Sequence, residues 1–238
     1  MREKLNIILL ILLISCNSKT SNKSIKKDKI PASVTKNNFE YDTGNIQADT
    51  LLINKQQYIR ILRDNKFNCL LSRKGDTIVK SEDYYFKVDF LDIDEDGYKD
   101  IRIFTFSNTP NQCDNYLFDR KLKTFKLIEN CGLDIQKIKG TQFYYSYNRA
   151  GCADLNWESH LSKIENYELV NYGYIIGHGC DFEVKKNVQS IDIYKIIDSK
   201  KYEKKLIKSL PYLKHIPKND DKWDFIEKYW KKNIKVFD

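Results

Sequence analysis

YYFKVDFLDIDEDGYKDIRIFTF, residues 84–106, is the stretch around which the chain is organised. Asp92, Asp94, Asp96 and Asp100 occupy positions 1, 3, 5 and 9 of a nine-residue loop, with Gly97 at position 6 and Tyr98 at position 7. In loops of this spacing the odd-numbered carboxylates and the backbone carbonyl at position 7 point at one ion, and the glycine permits the sharp turn. Bare carboxylates so close together repel one another, and a hard divalent cation relieves that repulsion. Calcium tolerates a flexible, irregular set of oxygens better than magnesium does, so the expected ligands are Asp92, Asp94, Asp96, the Tyr98 carbonyl and Asp100, with calcium as the cofactor.

The flanks decide what carries the loop. A helix–loop–helix hand needs a bidentate acid at position 12, which here is Ile103. Tyr84, Phe86, Val88 and Phe90 alternate with Tyr85, Lys87 and Asp89, and Ile101, Ile103 and Phe106 follow in a β-branched and aromatic run. Alternation of this kind predicts strands, so the loop caps a hairpin.

Working outward, short strands are predicted over residues 57–62, 67–72 and 77–79 before the hairpin, and over 116–118 and 124–128 after it. Residues 143–147, 157–164, 168–176 and 191–197 continue the series, with 148–154 a loop and a further crossing at 182–184. Many short strands joined by polar turns predict an all-β, antiparallel meander forming a sandwich or propeller-like body over residues 39–198. A helical C-terminal extension is expected over 199–238. Leu206, Ile207 and Leu210 suggest one helical face ending at Pro211. Trp223, Ile226, Trp230 and Ile234 recur at helical spacing after a cap at Asp220 or Asp221. The second stripe reads as a packing face, with a membrane-surface helix as the alternative because Lys222, Lys228, Lys231 and Lys232 lie opposite it.

The N-terminus has a different character. Arg2 and Lys4 precede an apolar run too short to span a bilayer, which reads as an export signal over residues 1–15. Residues 16–38 are rich in Ser, Asn and Lys and poor in aromatics, which predicts a flexible tether. The five cysteines beyond Cys16 suit an oxidising compartment. Cys113 with Cys131, bracketing a hairpin, and Cys152 with Cys180 are the expected pairs, leaving Cys69 free; other connectivities stay open. Neither these cysteines nor His160, His178 and His215 have zinc-ligand spacing. The formal charge of +8 belongs to the two ends, the central body being mildly acidic. No nucleic-acid recognition motif accompanies it, so nucleic acid is not an expected partner.

Two resemblances refine these expectations. Residues 13–16, LISC, resemble the lipobox of bacterial lipoproteins, which implies cleavage before Cys16 and attachment of lipid to it. The chain would then be held at the cell envelope, on a periplasmic or outer-surface face, with the membrane as its partner through the N-terminal lipid. Residues 88–131 resemble the calcium-loop hairpins of VCBS and FG-GAP-type proteins, in which the loop aspartates hold calcium between adjacent strands. The single loop is more similar to exported proteins akin to periplasmic lysozyme inhibitors than to multi-loop propellers.

Three functions follow as expectations. The first is a non-catalytic calcium-binding envelope lipoprotein that recognises a protein or glycan, using Tyr144, Tyr147, Asn148, Arg149 and Tyr172 near its loops. The second is inhibition of lysozyme or another cell-wall lytic enzyme. The third is an envelope carbohydrate hydrolase with Asp154 and Glu158 as an acid–base pair. No nucleophile elbow, phosphate loop or histidine metal motif supports catalysis.

Overall fold

The computed structural model describes residues 44–80, 85–181 and 188–238. The export signal, Cys16, the tether, Tyr84 and the crossing at 182–184 lie outside them. Among the described residues the fold is all-β and antiparallel, with a short helical C-terminal region. The first sheet is a four-stranded meander of β1 (Ile46–Ile53), β2 (Gln56–Arg63), β3 (Lys66–Ser72) and β4 (Thr77–Lys80). The second, also four-stranded, contains the loop hairpin: β5 (Tyr85–Leu91), β6 (Asp100–Thr105), β7 (Cys113–Asp119) and β8 (Thr124–Leu127). The third is formed by β9 (Gln136–Lys137), β10 (Phe143–Tyr145), β11 (Asn148–Gly151), β12 (Asn156–Glu165), β13 (Glu168–His178), β14 (Ser190–Asp198) and β15 (Glu203–Pro211). It is seven-stranded, in the order β15-β14-β13-β12-β10-β9, with β11 paired to β12.

The middle sheet is covered on both faces. Ile101, Ile103, Phe118 and Phe125 share a core with Ile53, Tyr58, Phe67, Leu70 and Val79 of the first sheet. Leu117, one residue from Phe118 and so on the opposite face, joins Ile93 and Ile128 in a second core with Ile135 and Tyr144 of the segment leading into the third sheet. That same face carries a buried polar seam. Arg102 donates from Nε to Asn115 Oδ1 at 2.7 Å, from one terminal nitrogen to the Ile135 carbonyl at 2.9 Å and from the other to the Asp134 carboxylate.

The third sheet packs against α2 (Asp221–Phe237), whose Ile226, Trp230 and Phe237 are buried with Trp157, Leu161, Ile175, Ile191 and Ile193. The predicted packing stripe is present in part. Trp223 is instead 44% exposed, its ring 4.1 Å from that of Tyr147, and Phe237 closes the other end of the face. Lys222, expected on the solvent side, is 1% exposed and donates to Asp154 Oδ2 at 2.7 Å. Neither Asp220 nor Asp221 caps the helix by its side chain as expected: Asp221 Oδ2 accepts the N–H of Lys218, before the helix.

The expectation that residues 199–238 are all helical is corrected. β15 pairs with β14 in antiparallel register, Ile191 opposite Leu210 and Ile193 opposite Lys208, and α1 (Tyr212–His215) is a single short turn. An edge strand exposed along nearly its whole length has no burial to impose alternation, so the spacing of Leu206, Ile207 and Leu210 imitated a helical face. The expected Cys113–Cys131 bridge is also corrected: both are buried thiols, and Asn115 Nδ2 lies 3.5 Å from one sulfur and 3.2 Å from the other. Burial pushes the Cys131 thiol up to about 11, and that of Cys113 up to about 12. Cys152 and Cys180 are joined as expected, and Cys69 is free.

Gly177 shows how closely the third sheet is packed. A Cβ there would lie 2.2 Å from Trp157 Cε2, whereas a Cβ on Gly132 would meet nothing within 4 Å. Gly177→Ala is expected to lower unfolding stability by about 1–3 kcal/mol in urea denaturation, and Gly132→Ala to change it by less than about 0.5 kcal/mol.

Candidate metal centre

The loop between β5 and β6 is shaped by its own carboxylates. Asp92 accepts the N–H groups of Asp96 at 3.0 Å and Gly97 at 2.9 Å, and Asp96 Oδ1 accepts that of Tyr98 at 2.9 Å. Gly97 takes φ of 90°, in the left-handed region that favours glycine, and Glu95 at φ 56° adopts a left-handed conformation uncommon for a residue with a side chain. The same carboxylates that fold the loop by accepting its N–H groups are thereby held close to one another.

Asp92, Asp94 and Asp100 each offer one oxygen, and these atoms lie within 4.8 Å of one another. That is a cluster able to chelate a metal ion. Asp96 is not brought into it, since its second oxygen faces Arg120 Nε at 3.4 Å. Tyr98, the expected carbonyl ligand, is positioned by its N–H bond to Asp96 and by its ring, stacked 5.5 Å from Phe118.

Asp100 sets the base of the site. It is 1% exposed, and its oxygens accept the N–H of Ile93 at 2.7 Å and of Phe118 at 2.8 Å. Burial outweighs these bonds and, with the charges of Asp94 and Asp96, pushes its carboxyl up to about 7. Asp94 is raised by burial and by its neighbours Asp96 and Asp92, against a bond from the Asp96 N–H and the charge of Lys137. Among the described residues no lysine or arginine pairs with Asp100. An all-oxygen, mutually repelling donor set with a buried, unpaired carboxylate at its base fits a hard divalent ion.

Three residues that hold the loop carried no signal in the sequence. Asn54, in the β1–β2 turn at φ 50°, donates from Nδ2 to the Lys99 carbonyl at 2.8 Å and accepts the Lys99 N–H at 2.7 Å. Lys137 donates to the Asp94 carbonyl, and Arg120 approaches Asp96. Each is remote in sequence from its partner, so only the folded chain relates them. Beside the loop, a cleft of about 530 Å³ is lined by Asn54, Lys55, Gly97, Tyr98, Arg120 and Lys123, among others.

The other expected site residues are placed differently. Tyr144 and Tyr147, expected to be exposed, are 3% and 6% exposed and belong to two different cores. Tyr172 packs its ring on Phe143 and donates to Glu165. Asn148 Oδ1 is buried without a partner, and Arg149 lies 3.5 Å from Asp154. Asp154 and Glu158 do not converge. Asp154 binds Lys222 on the α2 side of the sheet and also accepts from Tyr147; burial pushes it up, but these donors hold it below the ordinary carboxylate value. Glu158 follows core-facing Trp157, so it points to the other face, where it accepts from the Tyr174 hydroxyl.

Neither the family models nor the curated proteins contain a match to this chain. A solved structure described as a "Xanthomonas Type IV Secretion System related protein" aligns at 16% identity over 69% of this chain and 85% of that one, with a TM-score of 0.41. A likeness at that level bears on neither fold nor function.

Two outcomes are expected at Asp100. In metal-free protein its proton is held more tightly in the folded state, with a value of about 7, than in the unfolded one, where it is 3.8. Its contribution to stability is therefore full below pH ~4 and falls as the pH rises towards ~7, a trend that urea melts of wild type should show and Asp100→Asn should lack. Asp100→Ala, which strips the Ile93 and Phe118 N–H groups of their acceptor, is expected to cost about 2–5 kcal/mol.

Proposed function

We propose that this is a non-catalytic calcium-binding protein of the bacterial envelope, anchored by lipid at Cys16, whose calcium loop stiffens a recognition face for a protein or glycan. The observation that carries the reading is the convergence of Asp92, Asp94 and Asp100 in a loop clamped to two sheets at once. Asp92, Asp94 and Asp100 hold the ion together with the Tyr98 carbonyl, and Asp96 would join them only on leaving Arg120. When bound, calcium supplies positive charge that neutralises the acids and ties both arms of the hairpin together. Tyr98, 37% exposed, then stands as a rigid aromatic at the edge of the cleft.

The charge of that cleft favours a second form of the same role. Lys55, Arg120 and Lys123 give it a basic rim, and glycoside hydrolases carry paired carboxylates in their clefts. A lytic enzyme of the cell wall is therefore a partner of complementary charge, and binding over its cleft would inhibit it.

Metal-depleted full-length protein is expected to melt at higher temperature with calcium than with equimolar magnesium. At a calcium concentration of 100 times Kd the gain is about 2.7 kcal/mol. Asp92→Ala combined with Asp96→Ala should abolish both the gain and the heat of titration. Absence of heat and of stabilisation in the wild type would overturn the calcium reading. Undiminished lysozyme hydrolysis at high molar excess of the calcium-loaded protein would remove the inhibitory form for that enzyme.

A further inference from the structure

The face of the third sheet turned away from α2 carries a second constellation, independent of the metal loop. His160, Tyr174 and Tyr194 stand opposite one another across β12, β13 and β14. Tyr202, at φ 54° in the turn leading to β15, folds its ring over this rank. Its hydroxyl lies 2.9 Å from His160 Nε2, and its ring centroid lies 6.2 Å from that of Tyr174. Into the space between the rings β15 sends Lys204, whose Nζ lies 4.2 Å from the Tyr174 centroid, 4.9 Å from Tyr194 and 5.5 Å from Tyr202.

Three π faces around one ammonium form a cation box, because each ring presents its negative quadrupole face to the charge. The other walls agree in sign. Glu158 accepts from the Tyr174 hydroxyl and brings negative charge alongside. His160, pushed down to about 4 by burial, is neutral at pH 7 and adds no competing cation.

The resident ammonium is poorly matched to the box in one respect. A lysine ammonium has three N–H donors, yet among the described residues Lys204 meets no carboxylate and no hydrogen-bond acceptor. Water must satisfy those donors. A quaternary ammonium has none to satisfy, and its methyl groups lie against ring faces without loss. Lys204 is on an exposed edge strand and can swing clear.

We infer that the Tyr174, Tyr194 and Tyr202 box is a binding site for a quaternary ammonium group of the choline type, which Lys204 occupies as an internal competitor. Self-occupation lowers apparent affinity by the fraction of molecules whose box is open. Removing the lysine side chain therefore raises affinity without touching the rings.

Isothermal titration of the full chain with choline tests this, with the neutral isostere 3,3-dimethylbutan-1-ol as the charge control. Lys204→Ala is expected to bind choline about tenfold more tightly than wild type, and the isostere at least about tenfold more weakly than choline. Tyr202→Asn in the Lys204→Ala background keeps a residue tolerant of the left-handed turn, removes one ring, and is expected to lose most of the binding. No heat with Lys204→Ala, equal binding of the isostere, or binding undiminished by Tyr202→Asn would each overturn the proposal. Sedimentation of Lys204→Ala with phosphatidylcholine vesicles, with phosphatidylglycerol vesicles as control, separates the sources. Choline-reversible capture by phosphatidylcholine assigns a lipid headgroup, and choline binding without capture assigns a small soluble ligand.

Discussion

The structure depends on one buried carboxylate. Asp100 ends the acidic loop, begins β6, and accepts N–H groups from Ile93 in the loop and Phe118 in β7. A group that costs this much to desolvate stays inside only if its acceptors are used, so chain elements distant in sequence must meet at its two oxygens. Two residues along the same face, Arg102 faces Asn115 in strict register. A slip of one residue between β6 and β7 would turn these polar side chains into the apolar core shared with the first sheet and bring Ile101 and Ile103 to the polar seam. The buried polar seam therefore specifies the pairing that apolar side chains on both faces leave underdetermined.

The same constraint makes the metal cluster part of the body of the protein. A loop of acids standing free in solvent would relax its repulsion by swinging apart. Here Asp100 is fixed in the sheet, and the Asn54 clamp fixes Lys99 beside it. Asp92 is tied up in turning the loop. Burial first, and then the charge of the neighbouring acids, raises Asp94 and Asp100, and either a proton or a cation relieves both costs. An ion held in the loop would therefore be coupled to the packing of the first and second sheets, because the clamp and the carboxylate belong to different ones.

Legibility in the sequence followed burial. The strands from β2 to β8 and β10, β12, β13 and β14 were readable because each has a face or both faces in a core, which selects β-branched and aromatic residues at short spacing. β1, β9, β15 and β11, which falls in the expected loop 148–154, were not readable, because strands exposed along most of their length are held by the backbone ladder, which leaves no imprint on residue type. Three loop carboxylates were brought together as their spacing implied, whereas Asp96 was diverted by Arg120 from a strand turn away. The proximity of Cys113 and Cys131 followed from the hairpin they bracket, but the Asn115 amide that both sulfurs share belongs to no pattern. Tyr144 and Tyr147 illustrate the limit of composition: a tyrosine-rich strand reads equally as a recognition face or a core, and here both rings are inside.

The third sheet has two faces with opposite chemistry, and its open edge explains why. α2 covers one face with Trp230 and Phe237, which approach closely enough that only glycine fits at 173. The other face is left to polar and aromatic side chains, and β15 closes its edge with Lys204, Lys205 and Lys208. Charged edge strands discourage pairing with another chain, and lysine is the usual means. Lys205 and Lys208 serve that task whatever the position of Lys204. Lys204 differs because its ammonium lies within reach of three rings, those of Tyr174 and Tyr194 on neighbouring strands and that of Tyr202 in the left-handed turn. The edge therefore stays guarded whether Lys204 lies in the box or out in solvent, and the sheet does not oppose exchange of that lysine for another cation.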